Sequence, residues 1–378
     1  MARARGKTIK IRLAMEKSTL ILTRKIQIEV DLPKEERKEA VSKLRQWRNR
    51  SYRAANLIAS HLYVQEMIKD FFYLSEGVKY KLVDEKKDED GILQYSRIGA
   101  TCRMVSDRFK GEIPTDILAS LNNTILSTFN KNKSEYWEGL RSVDNFKRDM
   151  AFPFRPRDIR RLSYDEEKKT FYFRFFKIPF KTYLGRDFTD KRKLLERLLK
   201  EDIKLCTSHI QLKGKKIFWL ATFEIEKEKH CLKPEIIAEA SLSLEYPIVV
   251  KSGKAKLTIG SREEFLYRRL AIQASLKRAQ VGATYCKSGK GRKRKIKAVD
   301  KFHGVESNYV SHRMHEYSRR LIDFCVKHQA GTLILLNQED KIGIAKKEEF
   351  VLRNWSYYEL MTKIKYKTEK AGIELIIG

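Results

Sequence analysis

The sequence of 378 residues predicts a multidomain α+β protein. Three patterns support this fold class. Apolar residues recur at a helical period between residues 33 and 72, whereas residues 151–226 alternate apolar and polar positions as strands do. From residue 233 onward, short apolar strands are interleaved with amphipathic helices. A chain of this length is expected to form two or three domains.

Changes of pattern along the chain divide it into four predicted segments. Helical patterns give way to strands near residue 150, and a second change follows near residue 232. The predicted segments are N-terminal strands at 1–32, a helical domain at 33–150, a β-barrel at 151–232 and an α/β domain at 233–378.

The chain carries a large excess of positive charge. Its 80 Lys and Arg residues against 49 Asp and Glu residues give a formal net charge of +31. Such a surplus favours polyanions, because each neutralised phosphate releases condensed counterions. A ribosome-associated or membrane-surface protein is the alternative for this charge. A disordered basic tail is excluded, since 42% of the residues are hydrophobic.

Two features predict the compartment. No apolar run approaches the roughly 18 residues that a membrane-spanning helix needs. The N-terminal stretch MARARGKTIKIRL lacks the apolar core of a secretory signal. We therefore expect a cytoplasmic bacterial protein, associated with the nucleoid if its partner is DNA.

The cysteines give no metal-binding pattern. They are widely spaced and include no C-x-x-C pair, so we expect no zinc ribbon within this chain. An odd number of unpaired cysteines also suits a reducing compartment. The five are Cys102, Cys206, Cys231, Cys286 and Cys325.

Basic residues on the first predicted helix and before the barrel are candidate phosphate contacts. Pro33 and the acids after it open a helix whose apolar stripe includes Trp47. Aromatic residues such as Tyr172 and Phe176 can stack on bases or form the barrel core. A solvated basic face is the alternative for the arginines. The candidates are Arg45, Arg48 and Arg53 on the helix and Arg155, Arg157, Arg160 and Arg161 before the barrel.

The last segment has an informative order of elements. Strands at 241–250 and 255–260 precede a basic helix, a flexible basic segment at 288–297 and a long helix. A buried strand at 332–337, another helix and an apolar strand at 373–377 follow. Strand hairpin, helix, buried strand, helix and buried strand is the order of an RNase H-like fold. The candidate phosphate contacts here are Arg268, Arg269, Lys277, Arg278, Arg292, Lys293, Arg294, Lys295 and Lys297. The alternative for Arg268 and Arg269 is that they only solvate a helix.

Four sequence stretches carry a resemblance to a known family. They are KIPF (177–180), RRLAIQASLKRAQ with the GKGRKRKIK run (268–297), NYVSHRMHEYSRRLIDFCVKHQAGTLIL (308–335) and RNWSYYELMTKIKYKTEKAGIELI (353–376). Over these stretches the chain resembles the transposon-encoded TnpB proteins and the miniature type V-F, Cas12-type CRISPR effectors. The resemblance implies that the N-terminal strands join a wedge (OB-like) barrel and that the helical region is a recognition domain. The wedge barrel and the recognition domain are expected to bind a guide RNA and a target duplex, and a RuvC-type domain is expected beside them.

The chain departs from the family at the nuclease positions. Ser243 stands where active members have an Asp, and Leu336 and Asn337 stand where they have a Glu. The third carboxylate and the zinc-ribbon cysteines fall beyond the residues given, and we expect them to be missing. Two-metal hydrolysis needs converging carboxylates around ions about 4 Å apart. We therefore expect no nuclease activity, no catalytic Mg²⁺ and no structural Zn²⁺. The alternative is a shifted register in which Glu245, Glu339 and Asp340 hold one metal ion.

The resemblance implies RNA-guided, sequence-specific DNA binding without cleavage. The expected partners are a guide RNA, target double-stranded DNA and a possible second copy of the chain. A binder that does not cut can control transcription by blocking RNA polymerase or by recruiting it with an extracytoplasmic-function sigma factor. The alternatives are an active nuclease, a split nuclease completed by a second polypeptide and a guide-independent RNA-binding protein.

Overall fold

The computed structural model describes residues 19–74, 97–185, 190–228, 230–242, 246–285, 288–336 and 357–377. Two compact units account for them. Of the described residues, 21–225 form an N-terminal unit, and those from Glu226 onward form a C-terminal unit, to which Thr19 and Leu20 at the start of the first strand are also assigned. None of the helices within these described ranges is long and apolar enough to cross a membrane.

The N-terminal unit combines helices with one large sheet. Its helices are α1 (Lys34–Leu74), α2 (Arg97–Arg108), α3 (Thr115–Trp137) and α4 (Lys191–Leu199), and a 3-10 turn spans Pro156–Asp158. Its strands are β1 (Thr19–Val30), β2 (Phe152–Phe154), β3 (Ile159–Asp165), β4 (Thr170–Phe175), β5 (Ile178–Tyr183), β6 (Lys204–Leu205), β7 (Ser208–Lys213) and β8 (Lys216–Glu226).

The large sheet has the strand order β2-β7-β8-β1-β5-β4-β3, with β6 paired to β8. The N-terminal strand β1 therefore lies between two strands that come more than 140 residues later in the chain. Alternation along these strands buries aromatic rings on one face. Phe173 stacks on Phe180 at 5.5 Å between ring centroids and contacts Trp219 at 5.0 Å. These three side chains are at most 2% exposed, so apolar burial drives this sheet.

The helical part of this unit ends earlier than the sequence pattern predicted. Helix α3 ends at Trp137, and residues 138–150 form turns and extended chain. Asn56 on α1 fixes this segment, since its Nδ2 donates to the carbonyl of Phe146 at 2.9 Å. The backbone N–H of Phe146 donates to Asn56 Oδ1 at 2.8 Å. The two bonds hold the segment against α1 without helix.

The C-terminal unit is built on a five-stranded sheet. Its strands are β9 (Lys233–Ser241), β10 (Ile248–Ser252), β11 (Ala255–Ile259), β12 (Ala330–Leu336) and β13 (Glu374–Ile377). Its helices are α5 (Arg262–Thr284), α6 (Gly289–Lys327) and α7 (Tyr357–Ala371). The strand order is β11-β10-β9-β12-β13. Strand β10 is antiparallel to β9 and β11, whereas β12 is parallel to β9 and β13.

Two sequence predictions for this unit are wrong in detail. The strand predicted at 241–250 is two strands, because β9 ends at Ser241 and β10 begins at Ile248. The small buried residues Ala238 and Ala240 give β9 a weak apolar signal. The segment 288–297, predicted to be flexible, forms the first turns of α6. Lys and Arg are good helix formers, and a helix propagates easily from a part that is already packed.

Gly260 connects β11 to α5 and allows no side chain. Its backbone has φ +76°, a region that favours glycine. A Cβ atom here would lie 2.8 Å from Cζ of Tyr317 and 2.9 Å from Cγ of Pro247. The start of α5 is therefore pressed against the ring of Tyr317, which is 1% exposed in the core.

Candidate nucleic-acid interface

Helices α5 and α6 form an antiparallel hairpin, here called the basic hairpin, whose base is tightly packed. Ser261 caps α5, since its Oγ accepts from the N–H of Glu264 at 3.2 Å. Phe265 is 2% exposed and stacks on Tyr309 of α6 at 5.7 Å between centroids. Arg313 of α6 donates to Glu264 at 2.6 Å. The apolar and ionic contacts together fix the two helices at this end.

One candidate phosphate contact belongs to this base. The side chain of Arg269 is 9% exposed, and its Nε lies 2.7 Å from Oε1 of Glu306. Gln273 donates to the same carboxylate oxygen at 3.1 Å. A buried guanidinium with a carboxylate partner is less available to a phosphate than an exposed one, so this position favours a structural role for Arg269, and its contact with phosphate stays a prediction. Its neighbour Arg268 is exposed, as a phosphate contact requires.

The tip of the basic hairpin, residues 276–301, is strongly basic, and most of its described side chains are exposed. It holds ten Lys and Arg residues and a single acid, Asp300. Few apolar side chains are buried there, in contrast to the base. The structure exposes the predicted contacts Lys277, Arg278, Arg292, Lys293, Arg294, Lys295 and Lys297. Lys295 also donates to the carbonyl of Gly282 at 2.9 Å, which joins the two helices near the tip.

The arginines before the barrel lie in two environments. Arg157 forms an ion pair with Asp116, and Arg155 lies 3.9 Å from the same carboxylate. The hydrogen bond that Arg157 donates to the carboxylate of Asp116 raises the pKa of Arg157. Burial raises the pKa of Asp158, whose carboxylate accepts from the backbone N–H of Arg155 at 2.8 Å. Asp116 therefore offsets part of the charge of this pair of arginines.

Arg160 and Arg161 lie on β3 and are exposed. Arg160 is directly opposite Arg174 of β4 in the strand register. Like charges opposite each other on a sheet reduce its stability. A bound anion would relieve the repulsion between these two arginines. Arg161 has φ 55° within the irregular stretch of β3. Arg174 was not among the predicted phosphate contacts, although the alternation of FYFRFF places it on the outer face of the sheet.

The remaining candidates of this unit lie on or near α1. Arg45 and Arg53 are exposed. Arg48 is half-buried, and its Nε has no hydrogen-bond partner among the described residues. Phe176 packs against Trp47 at 5.8 Å between centroids and belongs to an aromatic cluster. Tyr172 is half-buried on β4.

One predicted nuclease position, Leu336, lies at the end of a strand of the C-terminal sheet. Strands β9 and β12 are parallel, and Leu336 is paired with Ser241 in the register. Leu336 is 37% exposed at this strand end. The other predicted positions, Ser243 and Asn337 with the nearby acids Glu245, Glu339 and Asp340, lie outside the described residues.

Within the described ranges, no group of three or more His, Cys, Asp and Glu side chains is arranged to hold a metal ion. Cys102, Cys206, Cys231 and Cys325 are free thiols. Cys325 is fully buried, and burial raises its pKa to about 12. This thiol is thus a core residue of α6, and Cys286 lies outside the described residues.

Comparison with known proteins connects this fold to CRISPR effectors. No family model matches the chain. The CRISPR-associated endodeoxyribonuclease Cas12f1 of Sulfoacidibacillus thermotolerans is 26% identical over 189 residues, which are 48% of this chain and 44% of that protein. The Cas12f1 protein of Syntrophomonas palmitatica is 33% identical over 110 residues, 29% of this chain and 21% of that protein. The matched region thus spans less than half the length of either curated relative.

A solved structure extends the likeness to nearly the whole fold. The chain in a cryo-EM structure of a Cas12f1-sgRNA-target DNA complex superposes with a TM-score of 0.68 at 15% identity. The superposition covers 95% of this chain and 89% of the other. The chain is thus similar in sequence to Cas12f1 proteins over part of its length, and its fold is like that of the Cas12f1 chain over nearly all of it.

Proposed function

We propose that this chain is an RNA-guided, sequence-specific DNA-binding protein that does not cleave its target. The observation that carries the proposal is the basic hairpin, whose exposed tip holds ten cations against one acid. A surface of this kind binds phosphates along a nucleic-acid backbone. In guided systems the RNA supplies sequence by base pairing, while the protein contacts the backbone. The related structure contains a guide RNA and target DNA.

The fold of the C-terminal unit supports a RuvC-like assignment. An antiparallel run of β9, β10 and β11, with β12 and β13 added in parallel beside β9, is the sheet order of RNase H-like domains. In the same proposal, the large sheet of the N-terminal unit is the OB-like wedge barrel and its helices form the recognition domain. The four-segment division of the chain remains part of this proposal.

The absence of cleavage rests on the residues at the ends of β9 and β12. The parallel pairing of β9 and β12, with Leu336 opposite Ser241, supports a comparison of these two strand ends with the positions where active relatives need carboxylates. The sequence has Ser243 at one position and Leu336 with Asn337 at the other. A hydroxyl, an aliphatic side chain and an amide do not offset the charge of two divalent cations.

The first experiment is to purify the chain from its native locus and sequence the RNA that accompanies it. A single abundant small RNA, with a fixed scaffold and a variable end that matches DNA, is the expected result. The chain with this RNA should then retain the matching duplex and release a mismatched one. A mixture of ribosomal and messenger fragments would instead identify a general RNA-binding protein.

A second candidate is an active nuclease, because both curated relatives are named endodeoxyribonucleases. The test is to incubate the chain with guide RNA, target duplex and Mg²⁺. We expect an intact duplex. Cuts that need Mg²⁺ and disappear in the Glu245→Gln/Glu339→Gln/Asp340→Asn variant would assign cleavage to this chain and overturn the proposal. The same cuts from a mock purification without the chain would come from a contaminant.

We further propose that the bound complex controls transcription. A guided protein that stays on a promoter can block RNA polymerase, or it can recruit polymerase through an extracytoplasmic-function sigma factor. A reporter placed behind the matched DNA, with and without the candidate sigma factor, separates the two. Repression indicates a block and activation indicates recruitment, whereas an unchanged transcript would contradict both.

A further inference from the structure

Three parts of the N-terminal unit meet at an open groove, here called the α1 groove. One wall is the first half of α1, the second is the turn between α2 and α3, and the third is the segment that follows α3. The groove has a volume of about 850 Å³. Trp47 and Ile113 are buried beneath it, at 4% and 5% exposure. The groove is therefore built on packed core and not on a solvated helix alone.

Four cations from separate parts of the sequence line this groove. Lys43, Arg50 and Arg53 lie on one stripe of α1, since residues three, seven and ten positions apart share a helix face. Arg148 reaches the groove from the opposite wall, where its Nε donates to Oδ1 of Asn49 at 3.3 Å. The bonds between Asn56 and Phe146 hold the backbone that carries Arg148.

One acid accompanies the four cations. Glu112 forms an ion pair with Arg50 at 2.6 Å, which ties the turn between α2 and α3 to α1. Gly111 precedes it with φ +76°, a conformation that this turn requires. Four cations minus one acid leave the lining with a charge of +3. Lys43 and Arg53 form no ion pair with any residue in the described ranges.

The lining indicates the class of ligand. Pockets for small organic molecules are mostly apolar, whereas this groove presents cations, the amides of Gln46 and Asn49, and Tyr52. Cations at several points along an open channel match a chain of phosphates better than a single anion. Amide side chains beside them can hydrogen-bond a sugar or a base edge.

We propose that the α1 groove binds the phosphodiester backbone of a nucleic acid through Lys43, Arg53 and Arg148. This inference rests on the proposed function, because the backbone comes from the guide RNA or from the target DNA. Arg50 holds the turn through Glu112 and is a positioning residue. The groove adds a second backbone contact to that of the basic hairpin, on the other unit of the protein.

The test compares three triple variants of the full chain. The Lys43→Gln/Arg53→Gln/Arg148→Gln variant removes the charge and leaves the Arg50–Glu112 pair intact. The Lys43→Arg/Arg53→Lys/Arg148→Lys variant keeps the charge. The control, Lys213→Gln/Lys215→Gln/Lys216→Gln, removes three exposed charges from the turn between β7 and β8. Circular dichroism melting of each variant establishes that it is folded.

Binding is measured as a function of salt in two arms. The first uses the RNA that copurifies with the wild-type chain, and the second uses the matched DNA duplex with the protein–RNA complex. Removing three phosphate contacts should weaken binding about 10- to 100-fold and reduce the salt slope by about 2 for single-stranded RNA or about 3 for duplex DNA. The charge-keeping variant should bind within about threefold of wild type.

Each outcome decides the inference. A loss in the RNA arm assigns the groove to the guide, and a loss confined to the DNA arm assigns it to the target. Unchanged affinity and salt slope in both arms, or a loss no larger than that of the control variant, would overturn the proposal that the groove binds nucleic acid. If no discrete RNA copurifies, the proposed function fails by itself, and unspecific RNA fragments then serve as the probe for the groove.

Discussion

The base and the tip of the basic hairpin use the same two helices for opposite purposes. At the base, cations are paired with acids, as Arg269 is with Glu306, and aromatic rings fill the space between the helices. At the tip, ten cations face one acid. A buried ion pair holds a fixed geometry, whereas an uncompensated basic surface repels itself until a polyanion arrives. The comparison shows that cations within one helix are not interchangeable.

The largest effect is expected from breaking the base. The Glu306→Gln variant keeps the shape of the side chain but leaves the charge of Arg269 buried without the carboxylate of Glu306. Removing one partner of a buried pair costs about 3 kcal/mol of unfolding free energy. Urea denaturation measures this loss. The control is Asp323→Asn, which breaks the exposed Arg319–Asp323 pair on the same helix and should cost under about 0.5 kcal/mol. Equal losses would contradict a special role for the base.

Charge removal at the tip should act on binding and leave folding intact. The Lys293→Gln/Arg294→Gln/Lys297→Gln variant should bind nucleic acid about 10- to 100-fold more weakly, with a salt slope smaller by about 2 to 3. Its urea midpoint should equal that of wild type, because these side chains are exposed. The Lys293→Arg/Arg294→Lys/Lys297→Arg variant keeps the charge and serves as the control. An unchanged salt slope in the Gln variant would show that the tip does not contact the nucleic acid.

Two adjacent arginines give a finer comparison. Arg268→Gln removes an exposed cation and should reduce affinity about fivefold without changing stability. Arg269→Gln removes the buried cation that pairs with the half-buried Glu306 and should lower the free energy of unfolding instead. Salt-dependent binding and urea denaturation of both variants separate the two roles. Identical behaviour of the pair would contradict the assignment of Arg269 to the base.

A third kind of cation lies between α6 and α7. Lys367 donates to the carbonyl of His315 at 2.6 Å and to Oγ of Ser318 at 2.8 Å. Burial, together with the nearby charges of Arg319 and Lys363, lowers the pKa of Lys367 from 10.5 to about 8. The unfolded chain therefore holds the proton more tightly than the folded chain.

This difference in proton affinity predicts a small effect of pH. Between pH 8 and 10.5 the unfolded state binds more protons, so the contribution of Lys367 to stability rises with pH. The difference in unfolding free energy between wild type and Lys367→Met should change across this range in favour of wild type. A difference that is constant with pH would contradict the lowered pKa.

The sequence predicted those elements whose signal is local. Helix α1 and strand β12 carry strong apolar periods and were placed within a few residues. Strand β9 was misplaced because its buried positions are alanines, whose burial depends on the neighbouring strands. The α1 groove was missed because Arg148 joins Lys43 and Arg53 only through tertiary contacts about 100 residues apart. The stripe at positions 43, 46, 50 and 53 was the available signal.

The buried pair at the base shows the same limit of sequence reasoning. Arg268 and Arg269 look alike in the sequence, and both were assigned to phosphates. Only the antiparallel packing of α5 on α6 brings Glu306 to Arg269, 37 residues away. Which of the two arginines is buried depends on how α5 packs on α6. The sequence of α5 alone does not determine it, because apolar and basic residues alternate irregularly on this helix.

Gly260 determines how α5, the first helix of the basic hairpin, leaves the sheet. Because even a methyl group there would collide with Tyr317, larger residues at this position would tilt α5 away from the sheet. A tilt of a few degrees at one end of a 23-residue helix moves its far end by several ångströms, since each residue adds about 1.5 Å of length. The position of the basic tip thus depends on a residue that carries no charge, and glycine is the residue that fits there.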